Sequence, residues 1–212
     1  VGYLIGEENR GLACMFTMMN NARLMVGIQG VAVAEAATQK AQAYAVERRQ
    51  GKADGYDGDG MAPIIHHPDV QRNLLTMRAL TNAARAISYN CAHAIDQAEH
   101  GDATWNNRAG LLTPVAKAFS TDIGVDVASI GVQVHGGMGY VEETGAAQLL
   151  RDARIAPIYE GTNGIQAIDL VTRKLPLDGG DAIKSYLAEL RDIVAEVAKG
   201  NREDLAGIAE PL

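Results

Sequence analysis

The chain has 212 residues, 47% of them apolar or aromatic and 21% charged, the balance of an ordinary globular protein. A formal net charge of −7 leaves no basic surplus for phosphate backbones, which argues against nucleic-acid binding. The longest uncharged run of interest, Leu24 to Ala34, has core-helix length and falls short of the roughly 18 apolar residues of a membrane span. Aromatic residues are only 5% and alanine is abundant, a composition for close-packed helices and not for a β-sandwich. Cys14 and Cys91 lack CxxC or metal-ligand spacing and read as buried thiols of a reducing compartment.

Residues 1–6 (VGYLIG) alternate and suit a short strand, one too short to stand alone. No basic region with a following hydrophobic segment precedes them, so no secretory signal is visible, and the chain opens on Val1 like the end of something longer. Glu7 and Glu8 suit a helix start. A short helix and then a long one, from about Asn20 to Arg49, are expected, with Gly27 and Gly30 letting backbones approach. Residues 50–65 (QGKADGYDGDGMAPII) form a loop by turn chemistry, and the closing glutamate of a calcium-binding EF-hand is missing.

Pro68 opens the next helix, whose apolar stripe runs Val70, Leu74, Met77, Leu80, Ala84, Ile87, Cys91 and Ile95 and stops at Gly101. Another begins near Ala103, with Leu112, Val115, Phe119, Ile123, Val127 and Ile130 on one face. Its far end (IGVDVASIGVQV) also alternates like a strand, and the bundle context favours helix. Short helices fit residues 142–154 and about 161–175. Pro176 and Gly179-Gly180 mark a linker, and an amphipathic helix from Ile183 to Val197 follows, closed by Gly200. The sum is an all-α antiparallel four-helix bundle with a remnant strand at its N-terminus.

Three segments carry possible chemistry. In Gln133-Val134-His135-Gly136-Gly137-Met138-Gly139-Tyr140 the bare glycines either present N–H donors to an anionic ligand or simply cap a helix. In Ile158-Tyr159-Glu160-Gly161-Thr162-Asn163-Gly164, Glu160 is either a base in a dry pocket or the acidic start of a helix. In Asn20-Asn21-Ala22-Arg23 the lone arginine is more often an ion-pair partner between helices than a ligand contact. No Glu-x-x-His pair supports a ferritin-like metal bundle, and no metal is expected.

Together with GEENRGL and Ala45-Val46-Glu47-Arg48, and in this order, these segments resemble the acyl-CoA dehydrogenases over roughly residues 1–175. The resemblance implies residues 1–7 as the end of a middle β domain, 8–175 as the C-terminal helical bundle domain, and 176–212 as a linker and the start of a C-terminal extension. It implies Glu160 as the catalytic base removing the α-proton of an acyl-CoA thioester, with FAD taking the β-hydrogen as hydride. Some relatives carry the base directly before the arginine matching Arg23; Ala22 stands there and cannot accept a proton. Asn20, Asn21, Ala22, Arg23 and Gly161 match substrate-lining positions. Arg48, His67, Gln133, Gly136, Gly137, Thr162, Asn163 and Gly164 match flavin-contacting positions, the glycine segment facing a neighbouring subunit's FAD.

The implied partners are an acyl-CoA, an electron-transfer flavoprotein and further copies of the chain in a dimer or tetramer. The implied place is the bacterial cytoplasm, or else a mitochondrial matrix. Arg49-Gln50-Gly51 and the long loop depart from the family's compact turn. That loop and the final helix resemble the longer members with a C-terminal extension, among them the methylmercaptopropionyl-CoA dehydrogenases. An acyl-CoA oxidase and a non-catalytic helical assembly domain are the rival readings.

Overall fold

The structure is a computed structural model that describes residues 1–200. Its frame is three long helices, α1 (Gly11–Glu47), α2 (Pro68–Ala98) and α3 (Ala103–His135). Facing residues fix their senses. Glu35 meets Arg85 and Thr38 meets Thr81, so α1 and α2 run antiparallel. Ser88 meets Ser120 and Cys91 meets Thr113, so α2 and α3 do likewise. Gly27 lies over Ala116 and Gly30 over Ser120, so α1 and α3 are parallel.

Short segments pack onto this frame. They are α4 (Gly137–Tyr140), α5 (Ala146–Ala153) and α6 (Asn163–Asp169), the last running on as a π turn over Leu170–Lys174. A final helix, α7 (Asp181–Lys199), lies on α3. The all-α class expected from sequence is what forms, and the alternating far end of α3 is helical to His135.

Two properties make α3 the centre. Its backbone touches that of α1: a Cβ on Gly30 would stand 2.2 Å from the Ser120 carbonyl oxygen, so only glycine fits. Around that contact α1 presents the buried stripe Ala34, Ala37, Ala41 and Ala45, and α2 presents Met77, Ala84 and Cys91. Small side chains are how three helices with little aromatic content reach interior packing density. Arg108 fastens α7 from the other side. Its guanidinium lies 5.1 Å from the Trp105 ring and 5.0 Å from the Tyr186 ring and donates to Glu189.

Several expectations need correction. The strand over residues 1–6 is not formed, because a strand needs a ladder partner and none of the described residues supplies one. The two helices expected before Arg49 are one, since nothing near Asn20 breaks the 3.6-residue pattern. Cys14 is exposed, not buried: residues 11–16 form the open first turns of α1. The helix expected over 142–154 is divided by Gly145 at φ +73° into a 3₁₀ turn and α5. At the expected linker, Leu177–Gly180 form a short turn in which Asp178 and Gly179 take positive φ, and residues 201–212 lie outside the described residues.

Candidate functional site

At the C-terminal ends of α1 and α3 a cavity of about 640 Å³ opens, lined by Arg48, His67, Gln133, Gly136 and Gly137 among others. Five positions scattered from 48 to 137 thus meet in one place. Helix ends bring them there. Arg48 caps α1, His67 precedes α2, and Gly136 ends α3 at φ +60° and ψ −140°. The helix-cap reading of the glycines is therefore correct for Gly136, and the cap also forms the cavity wall. A Cβ on Gly136 or Gly137 would meet nothing within 4 Å, so the space beside this backbone is open.

The rest of the wall is fixed. His67 Nε2 sits 2.8 Å from the Gln50 carbonyl oxygen, and that strand-like stretch is pinned by Gln50 N–H to Ala62 O at 2.9 Å. Tyr44 and His135 stack with ring centroids 4.4 Å apart, and His135 Nδ1 lies 2.7 Å from the Gly131 carbonyl oxygen. A cation, exposed backbone at bare glycines and an aromatic wall suit an extended ligand with anionic and planar parts. The donor set is thus one that anionic oxygens of a dinucleotide could use.

Glu160 lies elsewhere, beside Lys117 near the middle of α3. Eighteen residues of helix separate Lys117 from His135, about 27 Å at the usual helical rise. Glu160 is half-buried and adopts φ +53°, left-handed backbone that a side chain other than glycine rarely takes. Gly161 follows at φ +81°. Thr162 is the N-cap of α6, its hydroxyl accepting from Ile165 N–H at 3.3 Å, so Glu160 precedes the helix and does not start it.

Polar side chains from beneath hold this turn. Lys117 Nζ donates to the Gly161 carbonyl oxygen and to Asn163 Oδ1, both at 2.9 Å. Gln166 Nε2 donates to the carbonyl oxygens of Gly161 at 3.1 Å and Glu160 at 3.4 Å. Asn163 Nδ2 in turn donates to Ala118 O at 3.2 Å and to Asp122 Oδ1 at 2.7 Å. Tyr159 hydroxyl bonds Gln29 on α1. Burial pushes the Lys117 ammonium down to about 8, opposed by the charges of Asp122 and Glu160 and aided by that of Arg23.

Arg23 is 6% exposed and pairs with Asp169 Oδ2 at 2.9 Å; Arg173 Nε reaches the other oxygen at 2.7 Å. Of its two readings from sequence, the interhelical ion pair is the one formed. Asn20 and Asn21 line a different space of about 540 Å³, with Glu99, Asn106, Asn107 and Lys174. The structure thus divides the sequence-derived positions into three places. Arg48, His67, Gln133, Gly136 and Gly137 share the first cavity. Glu160, Gly161, Thr162, Asn163 and Gly164 form the turn above Lys117. Asn20 and Asn21 edge the second cavity, and Ala22 and Arg23 follow on α1.

Sequence reading missed Lys117, Gln166 and Asp169. Lys117 lies off the apolar stripe of α3 and reads as a solvent-facing lysine, yet α6 covers that face. Its neighbours offer a signal: Ala116, Ala118 and Ser120 are small, and Thr121 sits four residues on, a patch shaped for close packing.

The description "Acyl-CoA dehydrogenase, C-terminal domain" belongs to the family model that matches residues 9–175. The 3-methylmercaptopropionyl-CoA dehydrogenase of Ruegeria pomeroyi is 50% identical over 94% of this chain and 34% of its own length. A butyryl-CoA dehydrogenase of Syntrophomonas wolfei is 34% identical over 92% of the chain and 33% of its length. The chain therefore spans about a third of these curated relatives. Among solved structures, butyryl-CoA dehydrogenase from Megasphaera elsdenii superposes with a TM-score of 0.67 at 29% identity, over 80% of this chain and 40% of that one. The apo-form of Bd2924 reaches 0.76 at 27% identity, over 95% and 37%.

Proposed function

The chain belongs to the acyl-CoA dehydrogenase family, spanning its C-terminal domain, and from that premise we propose that the whole protein converts an acyl-CoA thioester to its trans-2-enoyl-CoA with Glu160 as base. The observation that carries this is the Glu160 turn: a half-buried carboxylate on left-handed backbone whose following carbonyls are tied to buried Lys117 and Gln166. Ala22, at the other position where relatives hold the base, has no proton acceptor.

In this reading the Glu160 carboxylate takes the proton from the carbon beside the thioester carbonyl, and the electron pair of that C–H bond forms the new double bond. The backbone N–H of Glu160 donates to the thioester oxygen, where negative charge gathers as the proton leaves. The turn supplies base and donor from one residue, so one anchored backbone sets both. FAD, when bound, supplies the acceptor for the β-hydrogen as hydride. Arg48 and the backbone at Gly136 and Gly137 would hold anionic oxygens of a dinucleotide, with His67 and Gln133 beside them.

Separation of the two groups by about 27 Å along α3 supports their serving two FAD molecules, one of this subunit and one of a neighbour, within a dimer or tetramer. Ile155, Ile158, Ile165, Ile168 and Val171 are exposed, an apolar surface suited to such contacts. We further infer that residues 1–7 close a β domain, that an electron-transfer flavoprotein receives the electrons, and that the substrate is a short thioether acyl-CoA like that in the name of the 50% identical relative.

The test is Glu160→Gln in the full-length flavoprotein. Turnover falls by about 10²- to 10⁴-fold, the range for a removed general base, while FAD stays bound at full stoichiometry. Turnover within a few-fold of wild type would overturn the assignment. For the substrate, kcat/KM for 3-methylmercaptopropionyl-CoA exceeding that for butyryl-CoA supports the thioether reading, and the reverse order removes it.

A further inference from the structure

We propose that Lys117 is a positioning residue for the base: its buried ammonium, tied to the Gly161 carbonyl and Asn163, fixes the backbone of the turn that presents Glu160. This deepens the reading of Glu160 given above and rests on it.

Lys117 is 0% exposed, and burying an ammonium costs several kcal/mol even when it is well paired. A methionine of similar length would fill the same space without that penalty. Among the described residues no carboxylate lies within ion-pair distance of Nζ. The charges facing it are Asp122 on α3, Glu160 on the turn and Arg23 on α1. A cation held without a direct counter-ion, and spending its donors on one backbone carbonyl and one amide, is doing local geometric work.

That work falls on a strained segment. Glu160 at φ +53° is an arrangement its side chain disfavours, so surrounding bonds must hold it. The Gly161 carbonyl receives both Lys117 and Gln166, and the Glu160 carbonyl receives Gln166. A side chain on Gly161 would be strained at φ +81° and would displace Gln166 Nε2, which a Cβ would meet at 2.8 Å. Lys117 alone among these partners carries charge, and a charge-assisted donor holds a carbonyl about twice as firmly as a neutral one. Losing it lets the turn relax toward ordinary backbone and shifts the carboxylate and N–H of Glu160 together. The consequence falls on kcat more than on substrate binding.

The experiment compares Lys117→Met with wild type in the full-length flavoprotein. Expected are a kcat lower by about tenfold or more, with a parallel fall in solvent deuterium uptake at the thioester α-carbon. KM stays within about threefold. Wild-type kcat falls as pH rises through about 8, where the ammonium is lost, and Lys117→Met lacks that limb. A kcat within about twofold of wild type, or the same alkaline limb in both proteins, overturns the proposal. If Lys117→Met does not hold FAD, Lys117→Gln, which keeps a neutral donor, decides by the same kcat comparison: a kcat within about twofold of wild type overturns the proposal and a larger fall with KM little changed supports it. Glu160→Gln run alongside keeps the two readings apart. Turnover surviving in Glu160→Gln sinks the base assignment, whereas its loss there beside an unaffected Lys117→Met sinks the positioning role alone.

Discussion

The cavity at the end of α3 and the turn above its middle use the same ingredient, backbone at positive φ, in opposite ways. At the cavity Gly136 takes φ +60° and leaves open space where a side chain would stand. At the turn a glutamate takes φ +53°, and its carbonyls are occupied by Lys117 and Gln166. One place keeps backbone free for something else; the other spends buried polar side chains on holding backbone still. A binding surface can be built from absence of side chains, whereas placing a catalytic group within a fraction of an ångström needs support from beneath.

The largest expected effect on stability lies under the turn. Asp169→Ala leaves Arg23 buried without its partner and lowers the stability of the chain by about 3–5 kcal/mol, read from urea unfolding. Replacing both Arg23 and Asp169 by leucine recovers most of that loss, since apolar pairs commonly substitute for buried ion pairs. A small effect from Asp169→Ala would show that the buried pair does not fasten α6 to α1.

Glycine-to-alanine substitution tests the contrast directly. Gly161→Ala adds the strain of φ +81° to a clash with Gln166 and costs about 2–3 kcal/mol. Gly136→Ala meets no clash, but φ +60° with ψ −140° is backbone nearly confined to glycine, and the strain costs about 1–3 kcal/mol. In the full-length protein Gly136→Ala weakens FAD affinity, measured by flavin release on dilution. Flavin release at the wild-type rate would show that the open space at Gly136 confers nothing.

Legibility followed the same line. The glycine segment was visible in sequence because Gly136, Gly137 and Gly139 interrupt a long apolar pattern. The helices were visible because α2 and α7 keep one apolar face, and Pro68 and Gly200 mark their ends. The supports of the turn were not. Gln166, and Asp169 that pairs with Arg23 close by, stand about 50 residues from Lys117 in the chain, and each of the three sits where its own helix pattern points to solvent. Only the packing of α6 on α3 buries them. The strand over residues 1–6 failed for a related reason, because a strand is a property of a pair and the described residues hold only one member.

The smallest effect calibrates the others. Glu35 on α1 meets Arg85 on α2 at 2.6 Å, both side chains about a third exposed, an ion pair with ordinary access to water. Hydrogen bonds from Gln39 and then Arg85 hold its carboxyl below the usual carboxylate range. A carboxylate whose pKa is lower in the folded state adds stability above its unfolded value, and the addition is lost as pH falls through the folded value. Glu35→Gln therefore lowers stability at neutral pH by only about 0.2–1 kcal/mol, and in urea titrations the difference shrinks as pH falls below the usual carboxylate range. Asp169→Ala sets the buried pair against this exposed one. If both substitutions cost the same at neutral pH, burial of the Arg23–Asp169 pair adds nothing to the attachment of α6 to α1.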